Sequence, residues 1–270
     1  MTTPPSPDAC FRLIGWVAGV GLTLSAVQQL AARRDYRPGG LFDWHVGRLQ
    51  FSRRMRATAR AWSWCLGPAG FTTILVARLV GLGVFLLAAP PDVRAVGITV
   101  VGATLALASL RNQFGQDGSD QMFLVVCAAL VARGWFAGKP GVDAVCLWFL
   151  ACQTTLAYFA AGAAKLVSGS WRSGRAVAGV MNTRQYGGQR LAAFLTRRPR
   201  ACLVLAWAVM GFEVLFPLAF VIGFPVAWAF LAAALGFHVA CAVVMGLDQF
   251  VWAFASTYPA VVYAVAAVHA

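Results

Sequence analysis

The stretch AVCLWFLACQTTLAYFAAGAAKL, residues 144–166, decides the fold. No side chain from Ala144 to Ala164 is charged, and the apolar residues do not alternate with polar ones as they would along a half-buried strand. Apolar runs of about 17 to 25 residues cross a hydrocarbon core of ~30 Å as helices. The run closes on Lys165, and lysine is scarce here: of the 22 basic residues, two are lysine and 20 are arginine.

Working outward, comparable segments occupy 10–32, 70–89, 94–111, 120–137, 201–222, 225–246 and 249–268. The segments 94–111 and 120–137 are short and the last contains Pro259, so seven spans or a re-entrant segment stand beside a count of eight. The composition agrees with a membrane protein: 60% of the 270 residues are hydrophobic and 11% are charged. A soluble domain carries about 25% charged residues. The expectation is an all-α polytopic membrane protein, a bundle of about eight transmembrane helices with an interfacial helix. It forms one domain over residues 1–270, multi-pass in the cell membrane, with no separate soluble domain. A transmembrane strand barrel is excluded because ~10-residue alternating segments are absent. The N-terminus MTTPPSPDACFRLIGWVAGVGL has no basic region before its apolar run and no small-residue cleavage site after it, so the first segment reads as a retained span.

A net charge of +13 would point to nucleic acid in a soluble protein. Here the arginines gather in two connections, about 33–69 and 166–200, beside apolar spans. That pattern makes membrane lipid the expected partner and excludes nucleic acid. In the first connection Trp44, Phe51, Met55 and Trp62 project to one helical face, with Arg53, Arg56 and Arg60 opposite, as in a helix lying in the interface. Arg48 breaks the pattern, and a loop packed on the protein's own spans is the alternative. The second connection is punctuated by glycine and holds one short helical piece, QRLAAFL. The seven cysteines form no C-x-x-C pair and read as buried free thiols.

An ionisable group near the bilayer centre costs about 2.5 to 3.5 kcal/mol on insertion scales, so each one within a span needs a reason. Arg78, Lys165, Glu213 and His238 are the ones inside. Glu213, the only glutamate, is expected to face the interior, either ion-paired with Arg78 or Lys165 or serving in proton transfer. His238 is either a hydrogen-bonded core residue or a functional one, and no second histidine at ligand spacing supports a metal. At GSDQ, Ser119 or Asp120 is placed to cap the fourth span, and the functional alternative has Asp120 and Gln121 facing a polar cavity. Tyr158, Gly162 and Lys165 are four and three residues apart and share one helical face. Lys165 either snorkels to the headgroups or acts as a base, since lysine, unlike arginine, can release its proton when buried.

YFAAGAAKLVSGSWRSG resembles the signature of the HTTM, or horizontally transferred transmembrane, domain. GSDQ, GFEVLFPLAF and FHVACAVVMGLDQFVWAFASTYP follow in similar order, and the likeness begins at FRLIGWVAGVGL. The family contains the membrane part of vitamin K-dependent gamma-glutamyl carboxylase, in which an activated lysine begins the oxygenation of reduced vitamin K. The resemblance implies that Lys165 corresponds to that lysine and His238 to a second motif, while Tyr158, Trp171 and Glu213 match by type and order. It implies a reduced quinone as the cofactor. Asp120 and Gln121 replace a histidine of the carboxylase, and the large lumenal domain that engages its protein substrate has no counterpart before Ala270. Bacterial HTTM proteins also resemble the membrane components of peptide-toxin maturation systems.

Three functions follow as expectations. The first is a membrane enzyme using a quinol to modify a small peptide or lipid, with Lys165 as general base and Tyr158, His238, Glu213, Asp120 and Gln121 around it. The second is a non-enzymatic factor for maturation, export of or immunity to a peptide, with a partner protein or the arginine-rich loops holding the peptide. The third, a proton-coupled transporter using Glu213 and His238, lacks an inverted repeat.

Overall fold

The structure, a computed structural model, describes residues 5–51, 62–112 and 116–270. Among these residues every regular element is a helix. The long ones are α1 (Pro7–Ala31), α2 (Pro68–Leu87), α3 (Pro91–Arg111), α4 (Gly118–Trp135), α5 (Val142–Val167), α6 (Pro199–Leu215) and α7 (Phe224–Met245). Two shorter ones close the chain, α8 (Asp248–Ala255) and α9 (Tyr258–Val268). Six helical stretches are long and apolar enough to cross a membrane by length and composition: α1, α2, α3, α5, α7, and α8 with α9. Each apolar segment of the sequence overlaps one of the long helices or the closing pair, and the segment 201–222 breaks after Leu215 into a second short helix, Leu218–Ile222.

Proline sets several of the starts. It occupies the first turn of α2, α3, α6, α7 and α9, where its missing N–H has no intrahelical acceptor to lose. At the end of α7, Gly246 takes a left-handed conformation (φ 72°), its N–H bonds back to the Ala242 carbonyl and the Leu247 N–H to that of Cys241, the usual stop of a helix by a residue without a Cβ. The last apolar segment breaks between Ala255 and Tyr258, where the hydroxyls of Ser256 and Thr257 bond to the carbonyls of Ala253 and Phe254.

The chain divides into two compact units, with boundaries inside α1 and α5. One is Phe11–Cys146. In it α2 and α3 pack in backbone contact: a Cβ on Gly97 would lie 2.7 Å from the Phe85 nitrogen and 2.9 Å from the Gly81 oxygen. Such small-residue crossings carry helix association where lipid removes the hydrophobic drive. Arg111, at the end of α3, is buried and donates to the carbonyls of Leu66, Tyr36 and Phe42. It thereby ties the polar connection to the helix ends.

Within that connection the expected interfacial face is not formed by Trp44. Its ring is 2% exposed, packs with Leu66 and Ile74, and its indole N–H donates to Ser63. That is the arrangement of a loop packed on its own spans. Met55, Arg53, Arg56 and Arg60 lie outside the described residues.

The other unit comprises the residues through Cys10 and Leu147–Ala270. Its second polar connection folds into three short helices, Gly169–Arg172, Arg175–Met181 and Gln189–Thr196, the last on the expected QRLAAFL. All seven cysteines are free. In both units large apolar side chains stay exposed along the long helices, among them Val80 (61%), Val145 (69%) and Val243 (81%). Lipid tails, not water, suit such a surface.

Candidate functional site

Helices α5 and α6 run antiparallel, as their contacts show in order. The Tyr158 ring packs on Phe212 and Phe216, Gly162 on Glu213 and Val214, and Trp207 donates its indole N–H to the carbonyl of Arg172. Lys165 therefore meets Glu213 in the last turn of α6, about 20 Å from the start of that helix at ~1.5 Å per residue. Lys165 lies in the last turn of α5, and the chain continues alongside α6 past it as far as Arg172.

Lys165 Nζ donates to both carboxylate oxygens of Glu213 at 2.6 Å. Glu213 is 3% exposed and the Lys165 side chain 19%. The ammonium also lies 5.3 Å from the centre of the Trp171 ring, in cation–π range. Of the two cations open to Glu213 from the sequence, Lys165 is the partner and Arg78 is not. The pair exists because Gly162 is a glycine. A Cβ there would lie 2.8 Å from the Glu213 Cβ and 2.9 Å from the Val214 nitrogen, so any larger residue pushes α6 away.

One turn back, Tyr158 is 3% exposed. Its hydroxyl contacts His238 Nε2 at 2.8 Å and the Tyr258 hydroxyl at 3.3 Å. His238 stacks on Phe254, ring centres 4.5 Å apart, and its Nδ1 is buried without a partner. A buried N–H without an acceptor is the rarer defect, so the tautomer that fits carries its proton on Nε2 and leaves Nδ1 a lone pair. The bonds then run one way: His238 donates to Tyr158, and Tyr158 donates to Tyr258. Phe212, Phe216 and Phe254 enclose the tyrosine. Lys165 is thus the accessible member of the group, and Tyr158 and His238 are closed.

Lys165, Tyr158, Glu213 and His238 belong to one unit, whereas Asp120 and Gln121 belong to the other. The cap of α4 is Asp117, whose carboxylate accepts from the N–H groups of Ser119 and Asp120, and Asp120 in turn accepts from the Asp117 N–H. Neither Ser119 nor Asp120 holds the cap position, because the helix begins at Gly118, two residues earlier than a Ser119 cap needs and three earlier than an Asp120 cap needs. Asp120 lines a cavity and Gln121 is exposed. Among the described residues no three of His, Cys, Asp and Glu gather as a metal-ligand set.

Sequence reading missed Tyr258 and Arg111. Tyr258 lies near the end of the stretch FHVACAVVMGLDQFVWAFASTYP, but nothing in its spacing points to a bond with Tyr158, 100 residues earlier. Arg111 looks like one more loop charge beside Asn112, because acceptor carbonyls leave no trace in sequence. Comparison of the chain with protein-family models, with curated proteins and with solved structures finds no match.

Proposed function

We propose that the protein is a multi-pass membrane enzyme of the HTTM type, in which the Lys165–Glu213 pair handles the proton of a lipid-soluble or peptide substrate. The observation that carries this reading is the 2.6 Å contact of an accessible lysine with both oxygens of a buried glutamate in the last turn of α6. As a pair the two groups are neutral overall, which lowers the cost of placing them in an apolar medium. Transfer of one proton from the ammonium to the carboxylate leaves a neutral amine facing the open side, and that amine is the base. Glu213 is then the proton store, and Tyr158 with His238 and Tyr258 forms a rigid hydrogen-bonded wall behind it. A reduced quinone, the cofactor the resemblance implies, would be met on the Lys165 side next to the Trp171 ring, and it would supply a hydroxyl proton and reducing electrons. The aromatic packing leaves no access for it at Tyr158.

Eight spans complete this reading, with α4 and the stretch Pro199–Ile222 added to the six apolar stretches. Four spans then separate the arginine-rich connections and place both on one side of the membrane, where a small acidic peptide or anionic lipid meets them. Labelling of single cysteines at positions 48 and 184 from either side tests this, and opposite accessibility contradicts the count. The second reading, a non-enzymatic peptide factor in which the pair only clamps α5 to α6, is favoured by the close approach at Gly162. Arginine can also clamp a carboxylate, so Lys165→Arg separates the two: the clamp tolerates it and the base does not.

A further inference from the structure

Arg78, near the middle of α2, has none of its surface exposed. One of its nitrogens, Nη2, donates to the Thr104 carbonyl at 3.1 Å, while Nε and Nη1 are buried with no acceptor. No carboxylate of the described residues forms an ion pair with it. In the same unit the Gln29 Oε1 is also buried without a donor. Both side chains line one cavity of about 140 Å³, whose other walls include Tyr36, Asn112 and Asp120.

A buried guanidinium with two idle nitrogens, three N–H bonds between them, calls for acceptors, and the carboxylate on the same cavity wall, Asp120, makes no ion pair with it. Water supplies an acceptor without charge, and Asp120 supplies charge without direct contact. The carboxylate of Asp120 and the oxygen of Gln29 face the same space as acceptors, so the occupant must also bring a donor. The volume is close to that of an engineered cavity of about 150 Å³ that takes benzene, which limits the occupant to roughly six non-hydrogen atoms. We propose that this cavity binds a small oxyanion that keeps a hydroxyl, of the hydrogen phosphate class, with Arg78 as its charge partner and Gln29 as its second contact. The oxyanion can be free or the phosphomonoester head of a lipid, and Ser109 and Asn112, toward the end of α3, also line the cavity.

The test uses the full protein in phosphatidylcholine vesicles, with thermal unfolding followed at rising inorganic phosphate and, separately, rising sulfate at matched ionic strength. A third arm replaces part of the lipid by phosphatidic acid. Phosphate or phosphatidic acid is expected to raise the unfolding temperature saturably, and sulfate is not, since it lacks the hydroxyl hydrogen. A response to phosphate identifies a free anion, and one to phosphatidic acid alone identifies a lipid head. Gln29→Leu is expected to weaken the apparent affinity more than tenfold, and Arg78→Met to abolish the response. Should Arg78→Met fail to fold, the Gln29→Leu shift and the sulfate comparison decide. Equal responses to sulfate and phosphate, a response unchanged by Gln29→Leu or surviving in Arg78→Met, or no response in any arm overturns the proposal.

Discussion

Lys165 and Arg78 are both cations within apolar helices, and the protein treats them in opposite ways. Lys165 has its counter-charge on the chain, held by two bonds of 2.6 Å to Glu213. Arg78 is more deeply buried, yet its only hydrogen bond goes to a neutral carbonyl. The first site is complete without a ligand and the second is not. A self-contained ion pair suits proton exchange, because the proton has somewhere to go within the pair. An arginine with idle nitrogens on a cavity suits binding, because a ligand can bring the missing acceptors.

Breaking the Lys165 pair should therefore have the largest effect on stability. Glu213→Leu leaves a cation in an apolar setting and is expected to cost about 3 kcal/mol, read by unfolding in detergent. Lys165→Met with Glu213→Leu should recover most of that loss, because removing both partners removes the desolvation of each. Next comes Gly162→Val, which pushes into the Glu213 Cβ and the Val214 backbone and should cost about 1 to 3 kcal/mol by overpacking. Arg78→Met sharpens the contrast. Without added oxyanion it should be neutral or stabilising in the same assay, since an apolar side chain replaces a buried charge with idle nitrogens.

The smallest effect lies outside the membrane helices. Asp43 caps the short helix Trp44–Gly47, accepting from the N–H groups of Gly39 and His45 at 2.8 and 2.9 Å. The Gly39 and then the His45 backbone bond hold its carboxyl below the ordinary range. A carboxylate with a lowered folded value stabilises above the unfolded value and loses that contribution as pH falls through the folded one. Amide protection in residues 39–47 should accordingly fall as the solution is acidified through the carboxylate range, and in Asp43→Ala it should already be low at neutral pH, the usual result of losing a helix cap.

Much of this was legible in the sequence. Unbroken apolar runs gave the long helices, since a membrane span needs only length and low charge. The spacing of Tyr158, Gly162 and Lys165 put them on one face of α5, which the structure keeps. The partner of Glu213 was not legible, because Arg78 and Lys165 are equally cationic and only the antiparallel course of α5 and α6 selects between them. Nor was the inward turn of Trp44, because an interfacial face and a face packed on the chain's own helices share one apolar pattern. The orphaned nitrogens of Arg78 are a matter of atoms, and no residue pattern reports them.

The most direct test of the central claim follows oxidation of a reduced naphthoquinone in air by the protein in lipid nanodiscs, comparing wild type with Lys165→Arg and checking the fold of each by its unfolding curve. The account predicts that the wild type consumes the quinol and that the arginine variant, folded and still paired with Glu213, does not, because guanidinium keeps its proton. Wild-type consumption by the arginine variant would contradict the base assignment and leave Lys165 as a clamp between α5 and α6.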